Sequence, residues 1–313
     1  MRNAFADEVT RLGVADPRVV LLSGDIGNKL FDSFKESCPG RFFNCGIAEA
    51  NMMGVAAGLA LSGLRPVVYT IAPFTTTRCL EQIRVDACYH RAPVTIVGTG
   101  AGLSYTELGP THHSCEDLAI LRVLPDLTVF APCDSAELRL GLRAALGQDK
   151  PVYMRIGKKG EPAIHVGLDE LAFGRAIGVR AGRDICLLVA GTIMSEAIAA
   201  ADLLAADGIS VGVESFHTVK PLDTARLGEV FAAFRLVATI EEHSRIGGFG
   251  GAVAEWMTQR PESAAARLIT FGVEDRFLHR IGSQAYARRL FGLDGAAMAA
   301  VLRTAWADAA VAV

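Results

Sequence analysis

AEANMMGVAAGLALSGLRPVVYTIA, residues 48–72, reads as a helix followed directly by a buried strand. Small residues recur at close spacing through the first part, and Gly63 supplies the stop signal of a helix C-terminus. RPVVYTIA then runs apolar without alternation, as a strand covered on both faces does. Outward on the N-terminal side, VVLLSGD (Val19 to Asp25) is a second strand, ending in a turn of small residues. On the C-terminal side TTTRCLEQIRVDACYH is expected as a helix and PVTIVGTG as a strand. SCEDLAILRVL (helix), LTVFAP (strand), SAELRLGLRAALGQ (helix) and PVYMRIG (strand) complete the set. Strands and helices alternating in this way predict a mostly parallel sheet flanked by helices, an α/β fold.

The pattern loosens from Lys158 to about Arg183, near whose start stand Lys159, Gly160 and Pro162. Alternation restarts with DICLLVAG, EAIAAADLLAADG, ISVGVESF and RLVATIEEH, and ends in RLITFGV and an Ala-rich helix. Two α/β domains are therefore expected, 1–157 and 184–313, joined by a linker over 158–183. A length of 313 residues fits two domains.

Composition narrows the function classes. The net charge is −3 and the pI about 6.2, which points away from nucleic acid and anionic membranes. No apolar run is long enough for a bilayer, and MRNAFADEVTRLG has no signal-peptide core, so a cytoplasmic protein is expected. The seven cysteines, at 38, 45, 79, 88, 115, 133 and 186, include no CxxC pair. Neither a disulfide framework nor a metal site follows from them, and reduced, buried thiols are the expectation.

Several stretches, in order, resemble the transketolase superfamily: FFNCGIAEANMMGVAAGLALSG (Phe42 to Gly63), FTTTRCLEQIR (Phe74 to Arg84), LGPTHHSCEDLAILRVLPDLTVFAPCD (Leu108 to Asp134), GVESFHTVKPLD (Gly212 to Asp223) and EEHSRIGGFGGAVAE (Glu241 to Glu255). The resemblance implies a pyrimidine-binding domain followed by the family's C-terminal domain, with thiamine diphosphate as cofactor. It also implies that the diphosphate-binding domain, whose hallmark is GDG with downstream Asn residues, resides on a partner chain. That N-terminal subunit would hold Mg2+ and the diphosphate, in an α2β2 assembly that includes self-association. Gly24-Asp25-Ile26 is the nearest approach to GDG here and stands in the wrong domain.

The resemblance places the cofactor's acid at Glu49. A carboxylate bonded to the aminopyrimidine favours the imino tautomer that deprotonates the thiazolium carbon, most effectively where water is excluded. A first-turn acid also favours the helix dipole, but inside GIAEANMMG the cofactor role is the stronger reading. Phe74 matches the ring stacked on the pyrimidine, a contact worth about 1 kcal/mol beyond burial. Ile71 stands where the family has a second aromatic. His112, in GPTHH, matches the histidine facing the sugar. Arg155, at the carboxyl edge of its strand, matches an arginine for the acceptor phosphate. Ser23 and Arg2 match further phosphate contacts. His113 has no assigned role.

Two departures concern the substrate. Leu108 replaces an aspartate that reads the hydroxyl next to the sugar carbonyl, and a histidine near the end of the preceding strand is replaced by the region Gly98 to Gly102. A non-standard sugar substrate is therefore expected. Ketol transfer from a ketose to an aldehyde is the leading function. A deoxyxylulose-phosphate-synthase-like or 2-oxo-acid-dehydrogenase beta-like reaction is the alternative within the cofactor class, and a non-catalytic scaffold the alternative outside it. The Gly-rich EEHSRIGGFGG reads as a tight helix start, not a dinucleotide loop.

Overall fold

The computed structural model describes residues 1–27, 29–259 and 266–311. Its strands are β1 (Val19–Ser23), β2 (Phe42–Asn44), β3 (Arg65–Ile71), β4 (Thr95–Thr99), β5 (Thr128–Phe130), β6 (Val152–Ile156), β7 (Ile177–Arg180), β8 (Ile185–Ala190), β9 (Val211–Ser215), β10 (Thr218–Lys220), β11 (Leu236–Ser244) and β12 (Arg267–Val273). They form a seven-stranded sheet in the order β10-β5-β6-β4-β3-β1-β2 and a five-stranded sheet in the order β12-β11-β8-β9-β7. All pairings are parallel except β10 with β5 and β7 with β9. These are the two parallel α/β layers that the alternation predicts.

The sequence did not announce two of these edges. β7 lies inside the stretch expected as a linker. β10 comes from the second half of the chain yet closes the edge of the first sheet, Thr218 pairing with Phe130. The halves also share apolar packing. One buried cluster runs from Leu22 and Met52 through Leu121 and Phe216 to Val237 and Trp256.

Local chemistry explains a second departure. The stretch expected as one helix after Phe74 is a 3-10 turn (Thr77–Cys79), a single α-turn (Leu80–Gln82) and a π-helical run (Ile83–Tyr89). The hydroxyls of Thr75 and Thr76 donate to the Ala72 carbonyl, and that of Thr77 to Pro73. Threonines bonded back to preceding carbonyls compete with regular helix. The Gly-rich segment does start a helix, Phe249–Thr258, as expected. The buried Glu241 carboxylate accepts the first amides, Phe249 N at 2.7 Å and Gly250 N at 2.8 Å. A Cβ on Gly248 would lie 2.3 Å from that carboxylate.

Helices Arg2–Ala15 and Ser135–Leu146 pack together through Glu8, which is buried and accepts from Arg11 Nη2 at 2.6 Å and Arg143 Nε at 2.7 Å. Burial alone would raise its pKa, but Arg11 and Arg143 outweigh burial and lower it to about 2. A carboxylate with a depressed native pKa stabilises above its unfolded value and loses that contribution as pH falls toward the native one. Stability should therefore drop between about pH 4.5 and pH 2. Urea unfolding across that range should show a shallower acid limb for Glu8→Gln than for the wild type; superimposable limbs would remove Glu8 from the acid response.

Candidate active site

Glu49 is the first residue of the helix Glu49–Leu61, and its side chain is buried. The end of β1 presses on it: a Cβ at Gly24 would lie 3.2 Å from Glu49 Cγ and 3.1 Å from the Thr70 side chain. Glycine is what admits the carboxyl group at this sheet edge. Arg78 Nη1 donates to Glu49 Oε1 at 2.9 Å, while Oε2 is buried without a hydrogen-bond partner. An orphaned carboxylate oxygen is costly to bury. It is suited to accept from a donor that arrives with a ligand. The pyrimidine of thiamine diphosphate offers such a donor when its ring nitrogen N1′ carries a proton, as in the imino tautomer, so the residues present fit that group.

From Glu49 a row of contacts leads outward. The Arg78 guanidinium sits 4.0 Å from the centre of the half-buried Phe74 ring. Phe74 meets His112 edge-to-face at 5.3 Å, and His112 lies 6.1 Å from Tyr105. Ile71, buried at the end of β3, stands immediately before the short turn that carries Phe74. Burial first, then the charge of Arg78, holds the His112 imidazole below its ordinary pKa. It is therefore neutral near pH 7 and can both donate and accept. Leu108 closes the 3-10 turn Thr106–Leu108 and is 49% exposed, an apolar side chain at the rim of this loop. The charge of Arg2 acts on the Tyr105 phenol, and the Arg2 Nε is buried without a hydrogen-bond partner.

Glu49, Phe74, Ile71 and His112 thus come from neighbouring sheet ends and loops, and Leu108 and Arg2 border them. Arg78 was missed by the sequence reading. The only signal was its spacing, four residues beyond Phe74, inside a stretch read as ordinary helix.

Two expected substrate contacts are corrected. Arg155 is 2% exposed, and its Nε and Nη2 donors are already engaged. Nε bonds Asp117 Oδ2 at 2.8 Å, and Nη2 bonds the carbonyls of Ser114 at 2.7 Å and Glu242 at 2.9 Å. The second sheet covers this strand end, so the arginine ties the domains together and presents no fork to solvent. Ser23 is likewise fully buried, and its hydroxyl donates to Ile26 O at 2.6 Å across the turn after β1. His113 is buried with Nε2 unpartnered.

A parallel sheet that presents a buried, half-satisfied carboxylate at a helix start, beside an aromatic ring, fits what the pyrimidine side of a thiamine-diphosphate site requires. The chain belongs to the transketolase family. The model of the transketolase pyrimidine-binding domain matches residues 1–161, and that of the transketolase C-terminal domain matches 174–298. The chain is 35% identical over 294 residues to a 6-deoxy-6-sulfo-D-fructose transketolase subunit from Clostridium sp., covering 94% of this chain and 90% of the relative. It is 33% identical over 296 residues to one of the subunits of an apulose-4-phosphate transketolase from Phocaeicola vulgatus, covering 94% and 93%. Among solved structures it superposes on a split-gene transketolase, described as an inactive beta4 tetramer, with a TM-score of 0.88 and 34% identity, covering 98% of this chain and 97% of the other. Members of the family depend on thiamine diphosphate. No described helix is long and apolar enough to cross a membrane.

Proposed function

We propose that this chain is the C-terminal subunit of a split transketolase, moving a two-carbon ketol unit from a ketose to an aldehyde in complex with a diphosphate-binding subunit that also holds Mg2+. The observation that carries this reading is the unpartnered Oε2 of Glu49, in a chain whose relatives of similar length are named as transketolase subunits. When bound, thiamine diphosphate supplies the nucleophilic carbon that accepts the ketol unit.

The chain's own residues do the rest. Glu49 would accept a hydrogen bond from the protonated ring nitrogen N1′ of the pyrimidine through Oε2, while Arg78 holds Oε1 in place and balances its charge. Phe74 and Ile71 cover the heterocycle and exclude water, which strengthens the Glu49 bond. Neutral His112 meets the sugar hydroxyls.

Leu108 cannot hydrogen-bond a hydroxyl, which disfavours the usual sugar phosphates. Both named relatives act on unusual sugars that carry a sulfonate or a phosphate. The buried, unpartnered Arg2 Nε is a donor suited to such an anionic end. The substrate is accordingly a non-standard ketose bearing a terminal anion. Leu108→Asp should raise kcat/KM for ordinary ketose phosphates by roughly tenfold or more. A wild-type preference for xylulose 5-phosphate, with no gain in the variant, would remove this specificity argument.

The test of the activity is to mix the purified chain with its partner subunit and follow ketose-dependent aldehyde consumption. Turnover only in the mixture supports the proposal, and turnover by the lone chain contradicts it. The chain is also 35% identical over 307 residues to a 1-deoxy-D-xylulose-5-phosphate synthase from Chlorobium phaeovibrioides, of which it covers 47%. Carbon dioxide release from pyruvate without ketose use would favour that second reading.

A further inference from the structure

Three side chains of different chemistry converge where the connecting segment crosses the end of β5. Cys133 Sγ, a Glu137 carboxylate oxygen and a His165 ring nitrogen all lie within 4.8 Å of one another. Cys133 Sγ is 3.6 Å from His165 Nε2, which is 2.9 Å from Glu137 Oε1. Cys133 and Glu137 are buried, and His165 nearly so. Because the same ring nitrogen faces both the thiol and the carboxylate, the trio cannot act as a nucleophile, base and orienting acid in series.

We propose that Cys133, Glu137 and His165, with a water as the fourth donor, form a site for one zinc-type divalent cation beneath the connecting segment. In a tetrahedral zinc site, bonds of about 2.0 Å to nitrogen or oxygen and about 2.3 Å to sulfur put neighbouring donor atoms roughly 3.3–3.5 Å apart. The separations of 3.6 Å and 2.9 Å bracket that spacing. For these two pairs the tetrahedral spacing requires shifts of only a few tenths of an ångström.

Outer contacts orient the donors, as they do in zinc sites. Asp134 caps the helix Ser135–Leu146 through Ala136 N and Glu137 N, both at 3.0 Å, and its other oxygen takes the amides of Ile164 at 2.9 Å and His165 at 2.8 Å. Glu137 Oε2 is fixed by Cys133 N at 2.7 Å. The charge also balances: a thiolate and a carboxylate neutralise a divalent cation while the His165 imidazole binds as a neutral ligand. Sulfur and nitrogen donors favour zinc over magnesium or calcium.

The test is a cobalt titration of the chelator-treated, reduced full chain, followed by zinc competition. One equivalent of cobalt should give a thiolate-to-metal charge-transfer band that zinc abolishes. Cys133→Ser should lose the band and weaken zinc binding at least tenfold. His165→Gln, at the most accessible donor, should weaken it to a similar degree with unchanged far-ultraviolet circular dichroism, which keeps the test decisive if the serine variant fails to fold. A wild type without the band, or zinc affinities unchanged in the folded variants, would overturn the proposal.

Discussion

Glu49→Gln, in the complex with the partner subunit, is expected to lower kcat by about 10²–10³, the cost of losing one preorganised electrostatic contact in a water-excluded site. The substitution keeps the size of the side chain and the packing against Gly24. It removes the charge that Arg78 neutralises and the strong acceptor that Oε2 offers. Complex formation and the KM for ketose should change little, because the contact acts on the reactivity of the cofactor. Steady-state kinetics with saturating thiamine diphosphate measures this directly. Equal kcat for wild type and variant would assign the chain to the scaffold class.

Arg155→Met should destabilise the protein by about 3–5 kcal/mol, as breaking a buried ion pair does when one partner is left behind. Burial pulls the Asp117 pKa upward, but Arg155 and then His243 outweigh it and hold the carboxyl below its ordinary range. Tyr153 also donates to Asp117 Oδ2, at 2.6 Å. The variant would leave that carboxylate without its cation, and the Ser114 and Glu242 carbonyls would lose their donor. The double variant Asp117→Leu with Arg155→Met should recover part of the loss, because no uncompensated charge then remains. Urea unfolding of the three proteins checks this. A fully stable Arg155→Met with weakened acceptor-phosphate binding would restore the substrate role that the sequence suggested.

That case shows where the sequence stops being informative. Arg155 does stand at the carboxyl end of a parallel strand, where ligands usually bind. What decides its role is Glu242, 87 residues later, whose carbonyl takes one of its donors. The strand gives no sign of that contact. Ser23 is similar: its hydroxyl is consumed by a turn whose shape depends on Asp25 at φ 55° and Gly27 at φ 74°.

By contrast, the alternation that predicts two parallel sheets is local, and the small-residue helix after the first strands is local too. So the sheets could be read, while Glu49, Phe74 and His112 were singled out by the family resemblance. β10 could not, because a short strand crossing into another domain's sheet has no periodicity of its own. The Cys133, Glu137 and His165 cluster was invisible for the same reason. Its histidine lies 28 residues from the glutamate, inside a stretch that read as linker.

The most direct measurement is a crystal structure of the reconstituted two-subunit complex with thiamine diphosphate bound. Glu49 Oε2 should lie within hydrogen-bonding distance of the aminopyrimidine ring, with Arg78 still on Oε1 and the diphosphate held by the other subunit. A Glu49 carboxylate turned away from the heterocycle, or a diphosphate gripped by this chain, would contradict the account.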